Sequence, residues 1–135
     1  MYIINTNLPT NGSFKRRNKT DEIILHHAEA SRASVEEVNR WHLERGWTGI
    51  GYHFYIRKDG RIYRGRPEWA VGAHAQGHNG RSVGICVEGA YMTETMPKAQ
   101  FDALVGLVRE EMAKYPGAKV LRHRDVNSTD CPGVN

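Results

Sequence analysis

His123 and Cys131 stand eight residues apart in the segment 122–134, which carries almost no helix or strand pattern. Imidazole and thiolate are the strongest zinc donors among side chains, but two donors leave a tetrahedral site half built. A third is available in the pair His26-His27, which ends the apolar run Ile23-Ile24-Leu25. Two histidines and one cysteine leave the fourth position to water, the arrangement of a catalytic rather than a structural zinc. Zinc held this way lowers the pKa of its water toward neutrality and polarises a carbonyl, so hydrolysis is the chemistry on offer.

The elements that must position these groups follow from the pattern around them. A short buried strand over 22–27 delivers His26 and His27 to opposite faces, so one faces the site and the other packs. Ser34-Val35-Glu36-Glu37 is a capping box, and it predicts a helix to about Arg45 with Val35, Val38, Trp41 and Arg45 along one side. Gly46 is placed to end it in the left-handed conformation. Residues 51–57 alternate as a strand, Lys58-Asp59-Gly60 supplies the turn, and 61–64 returns. A long loop rich in glycine and histidine spans 65–81, the length at which loops are usually functional or disordered. Residues 82–88 read as the most apolar strand. Pro97 opens a helix whose stripe Phe101, Leu104, Val105, Val108, Met112 and Tyr115 is expected to face the core. A last strand over 118–121 feeds His123, and residues 1–20 form an arm over the surface. The pattern predicts a single α/β domain over 1–135, with a mixed central β-sheet flanked by helices.

Composition narrows the class. Net charge is +4, from 19 Lys and Arg against 15 Asp and Glu, and the densest basic run is Lys15-Arg16-Arg17-Lys19. No aromatic residues interleave there for base stacking, so it reads as a solvated loop and nucleic acid is not expected as a partner. Of the two cysteines, Cys86 lies in the apolar run 83–87 and reads as a small core residue. With Cys131 a metal thiolate, no disulfide remains to be drawn. The N-terminus lacks the basic and continuous apolar regions of a signal peptide, so the expected route is synthesis in the cytoplasm. No apolar run approaches the ~18 residues of a membrane span.

Five blocks carry a family resemblance: Ile23-Ile24-Leu25-His26-His27, Gly49-Ile50-Gly51-Tyr52-His53-Phe54, Gly72-Ala73-His74, Ser82-Val83-Gly84-Ile85, and His123-Arg124-Asp125-Val126 through Thr129-Asp130-Cys131-Pro132-Gly133. In this order the chain resembles the zinc N-acetylmuramoyl-L-alanine amidases, both phage lysozymes of the T7 type and animal peptidoglycan recognition proteins. The resemblance implies hydrolysis of the amide between N-acetylmuramic acid and L-alanine in peptidoglycan, by a monomeric endolysin acting on the wall after release or lysis. It makes His26, His123 and Cys131 the Zn²⁺ ligands. It also makes Tyr52 a hydrogen-bond donor to the oxyanion. Where T7-type lysozymes carry an assisting lysine two residues before the cysteine, this chain has Thr129, as in many catalytic recognition proteins. Gly46-Trp47 resembles the dipeptide that goes with meso-diaminopimelate in the stem peptide. His74 and Asn79 are candidates for substrate contact, with turn closure as the competing reading. His27, His42, His53 and His78 read as packing or surface residues. Asp125 either orients His123 or pairs with a neighbouring arginine. The alternative is a module that binds peptidoglycan without cutting it, but such relatives lose the cysteine that is present here.

Overall fold

The computed structural model describes residues 1–133. Its centre is β2 (Glu22–His27), paired in parallel with β5 (Ser82–Val87) on one side and with β6 (Lys119–Arg122) on the other. Beyond β5 lie β3 (Phe54–Ile56), β4 (Ile62–Arg64) and β1 (Ile3–Ile4), giving the order β1-β4-β3-β5-β2-β6. Only the β3–β4 hairpin is antiparallel, so the sheet is mixed.

Strand alternation sorts the side chains into two layers. Ile23, Phe54, Ile56, Val83, Ile85 and Val87 form one core with Leu107, which comes from α2 (Lys98–Lys114). Tyr55 and Cys86 turn to the opposite face and pack with Val35 and Val38 of α1 (Val35–Glu44). Burying each large aliphatic side chain contributes about 1.5–3 kcal/mol. By the same alternation His26 lies on the α1 face, in register with Cys86, while His27 stacks on Tyr91 in the α2 layer.

The capping box on α1 is formed: Ser34 Oγ accepts from the Glu37 amide at 3.1 Å, and the Ser34 amide donates to Glu37 Oε1 at 3.0 Å. The buried face of α1 is Val35, Val38, Asn39 and His42. Trp41 and Arg45, expected on that side, instead line a cleft. Asn39 takes the core place because both ends of its amide are bonded, accepting from Ile50 N at 2.7 Å and donating to Pro9 O at 2.9 Å.

The stripe expected to bury α2 does so only in part: Leu104, Val108 and Tyr115 pack against the core that holds Leu107. Phe101 is 54% and Met112 47% exposed, and the fully buried residues of the helix are Gln100, Leu107 and Glu111. Gln100 is tolerated because Nε2 donates to the carbonyls of Ile56 and Glu88, each at 2.9 Å, and Oε1 accepts from the Tyr91 hydroxyl. The arm is likewise less free than its composition suggests. Arg17 donates to Thr20 Oγ1 at 2.8 Å, to the Ala70 carbonyl at 2.8 Å and to the Tyr115 hydroxyl at 3.3 Å. Residues 3–4 are an edge strand of the sheet.

Glu111 is fully buried, and neither of its oxygens accepts a well-aligned hydrogen bond among the described residues. Lys114 Nζ lies 3.2 Å from Oε2 but is committed to Glu68, at 2.9 and 3.0 Å, and Tyr115 donates to Glu68 as well. Burial, then the Glu68 carboxylate beside it, push Glu111 from its ordinary value of 4.5 up to about 7, so below that pH it holds a proton. Burial opposes ionisation of Glu68, yet the bonds from Tyr115 and Lys114 keep it below the usual range. A carboxyl whose folded pKa lies above its unfolded one stabilises at low pH and loses that contribution as pH rises from about 4.5 to about 7. Glu111→Gln should therefore match the parent in urea melts near pH 4.5 and exceed it by on the order of 1–3 kcal/mol at pH 8. Equal stabilities at pH 8 would show that no proton is held there.

Candidate active site

The C-terminal end of β2 and the segment after β6 meet on the α1 face of the sheet. β6 runs directly into α3 (His123–Val126), a single helical turn that presents His123, and the chain returns to place Cys131 beside β2. One donor atom from each of His26, His123 and Cys131 lies within 4.8 Å of the other two. His26 and His123 have ring centroids 4.5 Å apart, and Cys131 Sγ is 3.7 Å from His26 Nδ1.

The chemistry of this donor set fits zinc. Burial, then the neighbouring charges of His123 and His27, hold His26 well below the ordinary imidazole range, so the ring is neutral and has a bare nitrogen. His123 is also lowered, by burial first, against the opposing effect of Asn127. Asn127 Nδ2 donates to the Gln76 carbonyl, which turns Oδ1 toward His123 Nε2 at 2.9 Å. The His123 proton therefore sits on Nε2 and leaves Nδ1 as the donor. Burial pushes the Cys131 thiol up to about 12, while the His27 amide, donating to Sγ at 3.2 Å, acts in the thiolate's favour. A buried thiolate needs a cation beside it, which is what a divalent metal supplies.

The three donors sit in a cleft of about 820 Å³ walled by α1, by 73–79 and by 127–129. Tyr52 lines it, with its ring 5.0 Å from that of His26 and 5.5 Å from that of His42. Burial, then the two cysteines, hold the Tyr52 phenol well above its usual range, so it keeps its proton and acts as a donor. Its backbone is held from α1, since His42 Nδ1 accepts from the Gly51 amide at 2.9 Å. His42 is buried, and burial, then Arg45 and Arg66, bring it down to about 4, which keeps it a neutral acceptor.

Gly46 adopts φ +86°, the left-handed conformation a helix C-terminus favours, and turns the chain so that Trp47 lies against His42 at 4.5 Å. The Arg45 guanidinium covers the Trp47 ring at 5.4 Å, and both line the cleft. Asn79 closes a turn, Oδ1 accepting from the His74 and Ala75 amides at 2.9 Å each. His74 is buried against His26. Thr129 Oγ1 accepts from the Cys131 amide at 3.2 Å and lines the cleft.

Asp125 takes the second of its two expected roles, pairing with Arg122 at 2.9 Å, and it is Asn127 that orients His123. Sequence reasoning misses Asn127 because asparagine in an irregular segment carries no pattern. Its place four residues after His123 across a helical turn is the one signal that points to it. Cys86 is the small core residue expected, in the cluster against which Tyr52 packs.

A mixed sheet with a helix on each face thus carries a His–His–Cys group, half-buried at His123 and buried at His26 and Cys131, at the end of its central strand. Residues 16–134 match the family described as N-acetylmuramoyl-L-alanine amidase. The endolysin of Escherichia phage T7 is 38% identical over 131 residues, covering 90% of this chain and 86% of that protein. The amidase LysC from Clostridium intestinale URNW superposes with a TM-score of 0.97 at 42% identity, covering 100% of this chain and 91% of that one. A mutant of Drosophila PGRP-LB in complex with tracheal cytotoxin gives 0.86 at 35% identity, covering 97% and 88%. This chain belongs to the N-acetylmuramoyl-L-alanine amidase family. Its reaction is hydrolysis of the amide joining N-acetylmuramic acid to L-alanine in peptidoglycan.

Proposed function

We propose that the chain is a zinc-dependent endolysin, acting as a monomer on the cell wall. The observation that carries this reading is the convergence of His26, His123 and Cys131 within 4.8 Å at the floor of an open cleft. These three residues hold the metal. When bound, zinc supplies Lewis-acid polarisation of the scissile carbonyl and acidification of water. Tyr52 donates a hydrogen bond to the oxygen on which charge develops. Thr129 carries no positive charge, so it orients the segment before Cys131 and leaves the amine proton to solvent. No helix among the described residues is long and apolar enough to cross a membrane. One zinc per purified chain, together with release of free muramoyl ends from isolated wall, tests the assignment. Absence of zinc uptake at neutral pH would defeat it.

The wall of the cleft supports meso-diaminopimelate as the third stem residue. Diaminopimelate differs from lysine by one carboxylate at the side-chain end. Gly46 leaves open space where a Cβ would stand, Trp47 offers an apolar face, and the Arg45 guanidinium lies over that face with no carboxylate of the described residues paired to it. A matched pair of muramyl peptides should show kcat/KM about 10-fold or more in favour of the diaminopimelate form, the scale of one charge-assisted hydrogen bond. Arg45→Ala should reduce that preference. Equal cleavage of the lysine form would remove it while leaving the amidase activity intact.

A further inference from the structure

His74 is buried and lies between two groups, each within hydrogen-bond distance of one of its ring nitrogens. Its Nδ1 stands 2.8 Å from His26 Nε2 and its Nε2 stands 3.1 Å from Ser82 Oγ, while Ser82 Oγ lies 2.8 Å from the His78 carbonyl. A carbonyl can only accept, so the one hydroxyl proton of Ser82 goes to His78. Ser82 must then accept from His74, which places the His74 proton on Nε2 and leaves its Nδ1 bare. His26 in turn must donate from Nε2, and its own Nδ1 is bare. That atom is the one facing Cys131 Sγ at 3.7 Å. The order Ser82, His74, His26 thus leaves each neutral ring one possible tautomer, and the last of them is the tautomer that can ligate a metal from Nδ1.

We infer that His74 is a positioning residue for the metal site, with Ser82 and the His78 carbonyl setting its tautomer. The inference rests on the zinc reading given above. It differs from a substrate contact in that both ring nitrogens are already used inside the protein. The backbone is shaped to admit this ring. A Cβ on Gly84 would stand 2.7 Å from His74 Cγ, and a Cβ on Gly72 would stand 2.6 Å from its Cδ2. Real Cβ atoms do not approach so closely, so the slot exists only because both positions are glycine. Partners of this kind, which hold a ligating imidazole by its second nitrogen, typically change metal affinity by about 10–100-fold when removed.

The test uses the full chain and Zn²⁺ alone, with affinity read by chelator competition and the fold checked by circular dichroism. His74→Phe keeps the ring volume and loses both nitrogens, and zinc affinity should fall about 10–100-fold. His74→Asn keeps an acceptor where Nδ1 stood and should recover most of that loss, which a role in packing would not allow. Gly84→Ala removes no donor but pushes the ring out of its slot, and should weaken zinc as His74→Phe does. In the zinc-free parent, long-range ¹H–¹⁵N ring correlations should show the His26 proton on Nε2. Zinc affinity in His74→Phe within two-fold of a zinc-binding parent, or a His26 proton found on Nδ1, would overturn the inference. A parent that takes up no zinc would instead defeat the zinc reading, and the ring correlations of the zinc-free protein would still decide the tautomer.

Discussion

Cys131→Ser should remove both stoichiometric zinc and turnover. Cys131 is 6% exposed, and its sulfur accepts from the His27 amide and lies against His26 Nδ1, so a serine hydroxyl placed there keeps the packing and loses the charge. A thiol gives up its proton to a divalent cation in this environment, whereas an alcohol stays neutral and leaves two neutral imidazoles as donors. The expected loss of zinc affinity exceeds the ~10–100-fold that outer partners of a ligand carry. Metal analysis of the variant after gel filtration checks the first part, and release of muramoyl ends checks the second. The fold should survive, since residues 22–27 and 82–87 meet without Cys131. A variant that retains one zinc per chain would show that the sulfur is not a ligand.

Tyr52→Phe should separate chemistry from metal binding. The phenol keeps its proton across the working pH range, because burial holds it well above its usual value. In that state it is a hydrogen-bond donor. Removing one such donor from a preorganised oxyanion site lowers the rate by about 10²–10³-fold. The ring contacts with His26 and His42 are retained by phenylalanine, so zinc content and stability should match the parent. An unchanged kcat would remove Tyr52 from the reaction, and loss of zinc would make it a support for His26 instead.

Much of this site is legible in the sequence, for identifiable reasons. Histidine and cysteine declare their chemistry by type, and the apolar run before His26 fixes the strand that carries it. The same run places His26 and His27 on opposite faces, where the structure has them. What the sequence conceals is the use of polar groups inside. Gln100 and Glu111 read as the wet side of α2, yet both are buried, one by hydrogen bonds to carbonyls and the other by keeping a proton. An apolar stripe cannot reveal this, because it counts residues and not the partners waiting across the interface. His74, Ser82 and Asn127 are hidden for the same reason, their roles depending on which atom faces which.

The two halves of the metal site stand on unequal foundations. β2 has a strand on both sides and carries His26 from the middle of the sheet. Among the described residues β6 has one neighbour, its Val120 is 37% exposed, and it leads straight into the turn that holds His123. Sub-global opening begins where backbone bonds are exposed and apolar contacts few, so the edge strand and the segment through Cys131 can detach while the centre stays closed. Zinc held by these donors would be expected to exchange at a rate set by fraying of the sheet margin and not by melting of the core. An enzyme built so would hold its ion at equilibrium with two strong donors from one peripheral segment, and would release it at the pace at which that segment breathes.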